Sequence, residues 1–241
     1  MNQGRRSTND TWVCQLGTTP YREALAMQQS IAARRQTGEL PDTLLLLEHP
    51  PVFTRGRRSL PGELTLGEDF YRARGIEVVP TDRGGRVTYH GPGQLVGYPI
   101  MGVTDVVTHL RTTEQAIVAA LAGEGIAARS RPQDGPDYTG VWVEDRKIAS
   151  LGVHVSRGVS THGFAVNVDN DLEPFTWVVA CGLPGVEMTS IAAELGGGAS
   201  SERFRERMAT SFCRVHNRSP RHVTAQELGI DAAHATELAA V

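Results

Sequence analysis

The sequence predicts an α+β (mixed α/β) domain on three observations. Residues 140–168 read as an antiparallel meander: Gly140-Val141-Trp142-Val143, then Lys147 to Ser156, then Val159 to Val168, with turns at Glu144-Asp145-Arg146 and Arg157-Gly158. Thr104 to Ala122 and Ser200 to Val215 carry helical apolar spacing, the second through Phe204, Met208, Phe212 and Val215. Thr43 to His49 holds four consecutive leucines and stops at Pro50-Pro51, the pattern of a buried central strand. Strands and helices interleave without an internal repeat, so neither an all-α nor an all-β architecture fits.

The remaining elements follow in order. Val13 to Leu16 reads as a first strand, and Thr19 to Gln36 as a helix with Ala24, Leu25, Met27, Ile31 and Ala32 on one side and Gly38 as a stop. His49 falls at the end of the leucine strand, a position where a histidine is more often a surface or capping residue, and it is kept as a pocket candidate. Phe53 to Ser59 carries Arg55, Arg57 and Arg58 and reads as a mobile basic loop, either an ordinary solvated loop, which charge alone favours, or a docking patch for an acidic partner. Glu68 to Arg74 is a short helix and Ile76 to Val79 a strand. After the meander, Phe175 to Ala180 is a short apolar segment leading into Cys181-Gly182-Leu183-Pro184-Gly185, and Ser190 to Leu195 is a short helix.

Composition narrows the function. A formal net charge of −3 gives no bulk electrostatic case for nucleic acid or an anionic membrane. The longest apolar runs are far short of a membrane span. The N-terminal residues are polar and lack an apolar signal segment, and three widely spaced cysteines point to free thiols in a reducing cytoplasm. No pair of cysteines has metal-ligand spacing, and no metal or cofactor is expected. Of the 24 lysine and arginine residues only Lys147 is a lysine. An arginine-favouring codon bias accounts for the scarcity of lysine but not for where the one lysine stands.

The most unusual stretch is Arg83-Gly84-Gly85-Arg86-Val87-Thr88-Tyr89-His90-Gly91-Pro92-Gly93-Gln94, set between two apolar segments. Its glycines permit close backbone approach, which favours a ligand platform over a tight double turn. It fits neither dinucleotide nor phosphate-loop spacing. Three other segments could carry chemistry. Cys181 lies in a Gly/Pro-rich turn that could expose a sulfur and free backbone N–H groups as oxyanion donors; the alternative is a buried apolar thiol. Lys147 opens a core-like strand whose Ala149, Ser150 and Gly152 leave room for a ligand; the alternative is a solvated strand end. Thr161-His162-Gly163-Phe164-Ala165-Val166-Asn167 has a glycine inside a strand, with His162 a candidate to orient polar groups; the alternative is a core strand with one bulge. Cys14 and Cys213 read as packing residues.

Four segments, in order and at fitting spacing, resemble the octanoyltransferases of lipoate synthesis: Arg83 to Gln94, Lys147-Ile148-Ala149-Ser150-Leu151-Gly152, His162 to Asn167, and Cys181-Gly182-Leu183. The resemblance covers about residues 12 to 217. It implies a single α/β catalytic domain (11–217) of the biotin and lipoate protein ligase fold, between a flexible tail (1–10) and a C-terminal tail or loosely docked helix (218–241). It implies an acyltransferase that moves octanoyl from acyl carrier protein to a lysine of lipoyl domains, those of 2-oxoacid dehydrogenases or the glycine cleavage H protein. By motif, Cys181 would form the acyl-thioester and Lys147 would lower its pKa. Arg83, Gly84, Gly85, Arg86, Val87, Thr88, Tyr89, His90, Ser150, Leu151, Gly152, Gly163, Phe164 and Ala165 would bind substrate. On this reading Gly84, Gly85, Gly152 and Gly163 let an acyl chain lie against backbone. Three rivals share parts of the pattern: an ATP-dependent lipoate or biotin ligase, a non-catalytic acyl or lipoyl-domain binder, and a Cys-His hydrolase.

Overall fold

The structure, a computed structural model, describes residues 9–179, 182–183 and 185–230. The strands are β1 (Asp10–Thr18), β2 (Asp42–Glu48), β3 (Val52–Arg55), β4 (Glu77–Pro80), β5 (Thr88–His90), β6 (Gln94–Ile100), β7 (Arg129–Ser130), β8 (Gly140–Val143), β9 (Arg146–Ser156), β10 (Val159–Asn167) and β11 (Ser219–His222). The helices are α1 (Tyr21–Gln36), α2 (Glu68–Ala73), α3 (Val106–Ala122), α4 (Ile191–Leu195), α5 (Ser201–Val215) and α6 (Ala225–Leu228). Eight strands form one sheet in the order β11-β1-β2-β6-β10-β9-β8-β7, and β4-β3-β5 form a second. The α+β expectation is met, including the antiparallel β8-β9-β10 meander.

The leucine strand is central because both of its faces are covered. Leu44 and Leu46 pack with Ala116, Ile117, Phe204 and Phe212 of α3 and α5, while Leu45 and Leu47 pack with Ala24 and Ile31 of α1 on the opposite face. A strand covered on both sides needs no polar alternation, and each buried leucine contributes roughly 2 kcal/mol. Helices α3 and α5 start where the chain supplies caps: Asp105 accepts from Thr108 N at 2.7 Å and Ser200 from Arg203 N at 3.2 Å.

Two expectations change. The basic loop is partly strand: Arg55 ends β3 and pairs with Glu68 at 3.5 Å, and Arg58 pairs with Asp137 at 3.0 Å. Asp10, expected in the N-terminal tail, begins β1, and the expected C-terminal tail begins as β11, parallel to β1. Strand β11 is held by backbone hydrogen bonds such as Val223 N to Val13 O at 3.0 Å. Its four residues are exposed, and Pro220 is tolerated because the strand is an edge. The rest of both expected tails, 1–8 and 231–241, lies outside the described residues.

Candidate active site

The stretch from Arg83 to Gln94 owes its shape to contacts far away in sequence. Gly84 N donates to Val153 O of β9 at 2.9 Å, and Arg57 N and Arg58 N donate to Arg83 O and Gly85 O at 3.0 Å each. The buried Arg83 guanidinium donates through Nη2 to Thr54 O and Thr54 Oγ1, both at 2.7 Å. At the other end Gly93 N donates to Glu48 Oε2 at 2.8 Å, and Glu48 is held in turn by Arg205 at 3.1 Å. The platform is thereby anchored to both sheets.

A cavity of about 260 Å³ opens beside it, lined among others by Arg83 to Arg86, Thr88, His90, Val96, Tyr98, Lys147, Ser150 to Val153 and His162 to Ala165. Most of the expected binding residues therefore meet at one place. Val87 and Tyr89 do not. They belong to a separate apolar cluster with Phe53, Tyr71 and Phe175, and Tyr89 packs edge-on to Phe175 with centroids 5.5 Å apart. Strand alternation is the reason: in β5, Thr88 and His90 face the cavity and the odd-numbered neighbours face away.

The glycines also need a correction. A Cβ on Gly152 would lie 2.7 Å from Gly84 O, and one on Gly163 would run into Gly97 O and Pro99. At those two positions the missing side chain makes room for neighbouring backbone. Gly85 is required for another reason, its φ of 87°.

Lys147 is 1% exposed. Its Nζ lies 5.2 Å from the centroid of the Trp142 ring, and its stem runs over Gly140, where a Cβ would come within 2.5 Å of Lys147 Cε. Gly140 is fixed in turn by donating its N–H to the buried Glu114 carboxylate of α3 at 2.8 Å. The segment that follows Cys181 in sequence returns alongside Lys147: Lys147 N donates to Glu187 O at 2.9 Å, and Thr189 N to Lys147 O at 3.0 Å. Asn167 Nδ2 donates to Thr189 O at 2.9 Å, and Glu194 binds both Thr189 Oγ1 at 2.6 Å and Arg146 at 3.0 Å. Arg86 pairs with Glu63 at 2.8 Å, and its stem packs against Gly182, the residue after Cys181. Cys181 itself, the expected nucleophile, lies outside the described residues. Cys14 and Cys213 are fully buried, and burial pushes their thiols up to about 12 and about 11, so neither competes as a thiolate at neutral pH.

Sequence reasoning named His49, His90 and His162 but missed the two tyrosines that join them at the cavity. Tyr21 and Tyr98 line it beside His90 and His162, and His49 stands behind them. His49 Nδ1–H donates to Thr19 O at 2.6 Å, so its Nε2 accepts from the Tyr98 hydroxyl at 2.6 Å. His90 Nδ1–H donates to Gln94 Oε1 at 2.7 Å, and Gln94 Nε2 donates to Asn167 Oδ1 at 2.9 Å. Burial lowers His49 to about 4 and holds His90 well below the usual imidazole range. His90 and His162 were signalled by their glycine-containing motifs and His49 by its strand-end position. Tyr21 and Tyr98 arrive from segments with no motif of their own.

Comparison with known proteins shows the family to which the chain belongs. Residues 20–213 match the family described as the lipoyl protein ligase A/B catalytic domain. An octanoyltransferase of Solibacter usitatus is 48% identical over 205 residues, covering 83% of this chain and 90% of its own. That of Mycobacterium marinum is 44% identical over 221 residues, covering 87% and 89%. Among solved structures, a lipoate-protein ligase A bound with ATP superposes with a TM-score of 0.75 at 20% identity, covering 91% of this chain and 92% of that one, a likeness of fold alone. The T. acidophilum protein Ta0514 gives 0.72 at 18% identity, with the same coverage. With the family match spanning most of the chain and relatives this similar over most of their own length, the chain belongs to the octanoyltransferases, acyltransferases of the lipoyl protein ligase A/B catalytic-domain family.

Proposed function

We propose that this chain transfers an octanoyl group from octanoyl-acyl carrier protein to a lysine of lipoyl domains through a thioester on Cys181. The observation that carries the reading is Lys147, the chain's sole lysine, buried on the wall of a glycine-rich, largely apolar cavity and flanked by the segment that follows Cys181. A buried lysine with no carboxylate within ion-pair distance among the described residues is costly to keep unless it has a task.

In the first half-reaction the Cys181 thiolate attacks the donor thioester carbonyl. The carrier sulfur leaves as a thiol by taking a proton from the Lys147 ammonium, which becomes a neutral amine, and octanoyl remains on the cysteine sulfur. A Lys147 ammonium near that sulfur favours the thiolate. In the second half-reaction the acceptor lysine amine attacks the acyl-Cys181 carbonyl, an amide forms, and the Cys181 sulfur leaves. Lys147 takes up the proton that the amine sheds and passes it to the sulfur. The donor is already an activated ester, so the chemistry needs no nucleotide. The donor carrier is acidic, and Arg57 is the member of the arginine trio that has no ion pair among the described residues, which leaves it free for docking.

The rival is an ATP-dependent ligase on the same fold. Incubating the protein with octanoyl-acyl carrier protein and a lipoyl domain, with ATP removed by apyrase, separates them. The reading expects the acceptor to gain one octanoyl mass at full rate, and a rate restored only by ATP contradicts it.

A further inference from the structure

The rings at the cavity form a single plate. Tyr21 stacks on His90 with centroids 6.1 Å apart, His49 lies 5.1 Å from Tyr21 and 5.6 Å from His90, and Tyr98 hydrogen-bonds to His49. His162 completes it, with the Tyr21 hydroxyl 3.4 Å from its Nδ1. The rings come from α1, β5, β6, β10 and the end of β2, and each is fastened to protein partners, so the plate has no loose member. Burial keeps all three imidazoles toward the neutral form, which suits a wall facing an apolar ligand.

His162 is held in a conformation that costs a non-glycine residue energy. Its φ is 58°, inside a strand. Contacts on two sides enforce it: its backbone N–H donates to Gln28 Oε1 at 2.7 Å, and its Nε2–H donates to Asp82 Oδ1 at 2.7 Å. The Asp82 side chain is 53% exposed. The His162 ring thus lines the cavity on one side and holds a half-exposed carboxylate on the other. It pairs with Val153 across the β9-β10 ladder; Lys147 begins six residues back on β9, but its side chain runs forward to Gly140, the partner of Ser150, which brings Nζ to about three residues, roughly 10 Å at about 3.3 Å per residue, from His162 along the strand.

We propose that this plate is the acyl-length stop, with His162 as the residue that closes the cavity. The proposal rests on the reading above, in which the acyl chain occupies this cavity with its carbonyl toward Lys147. A chain too long for the slot must push rings that are fastened on every side, and it would strand buried imidazole and hydroxyl groups without partners. A hydrogen-bonded wall therefore rejects extra methylenes more sharply than a wall of flexible aliphatic side chains.

Two measurements test it. In the first, kcat/KM is measured for acyl-carrier-protein donors from C6 to C14 with the natural chain, His162→Gly and Tyr21→Leu. Glycine tolerates the positive φ while removing the ring. The ratio of C12 to C8 is expected to rise at least ten-fold in His162→Gly, and an unchanged length profile in two variants that fold and transfer octanoyl overturns the proposal. The second needs no variant: an octanoyl donor with a diazirine at its chain end is loaded onto the natural protein, irradiated, and the cross-linked peptide identified. The adduct is expected on peptides holding Tyr21, Tyr98 or His162. An acyl-enzyme that forms but cross-links elsewhere overturns the length stop alone, whereas failure to load any acyl group overturns the reading beneath it as well.

Discussion

At the scale of single residues, Lys147 sits where a lysine is most expensive and where it touches the most chemistry. Lys147→Met keeps the stem and removes the charge. It is expected to lower kcat/KM about 10²–10⁴-fold, the span of a lost proton-transfer group, while the urea midpoint stays level or rises, because a buried charge is replaced by an apolar group of similar volume. Steady-state kinetics beside urea unfolding check both halves, and an active Lys147→Met contradicts the assigned role. The lysine was legible in the sequence because it is unique and because small residues follow it. Cys14 and Cys213 were legible as packing residues because one lies in a predicted strand and the other beside the apolar stripe of a predicted helix. Thr88, Tyr89 and His90 were less so: their two-residue alternation was present in the letters, yet the direction each side chain takes depends on β3, which pairs with β5 from outside the motif. Gly152 and Gly163 show the reverse limit. A strand glycine announces close approach, but only the fold identifies the approaching groups as Gly84 O and Gly97 O.

At the scale of elements, helices α3 and α5 were legible because each has one apolar side against the sheet and a capping residue ahead of it. Asp105 has both a stabilising and a positioning effect, since Val106 and Leu110 of the turn it caps line the cavity. Asp105→Ala is expected to cost about 1 kcal/mol of stability, read from urea unfolding, and an unchanged midpoint contradicts the cap. Strand β11 was not legible: it has no buried side chain, and its place in the sheet comes from backbone pairing with β1. The plate was legible only in part: its three histidines were named singly, but neither Tyr21 and Tyr98 nor the assembly of the five was. Its members are scattered from Tyr21 to His162, and no local pattern marks residues that meet only because β2, β6 and β10 are neighbours.

At the scale of the whole molecule, the buried imidazoles couple stability to pH. Burial lowers His49 and His216 from near 6.5 to about 4. Both are neutral in the folded chain and take up protons more readily when it unfolds. Their contribution is complete above about pH 6.5 and is lost as the pH falls from there through about 4. Between pH 7.5 and pH 5 the loss is on the order of 2 kcal/mol per histidine, and Tm is expected to fall by roughly 10 °C; a flat Tm across that window contradicts neutral burial. The sheet, the two helical layers and the anchored platform together enclose one cavity, and the proposed acyl transfer there passes through Cys181. The most direct test is an intact mass of the protein after mixing with octanoyl-acyl carrier protein in the absence of acceptor. The account predicts one added octanoyl group, absent in Cys181→Ala, retained when Cys14 is replaced, and discharged when a lipoyl domain is added. Octanoyl transfer to the acceptor by Cys181→Ala at the natural rate, with no adduct at any time point, would contradict it.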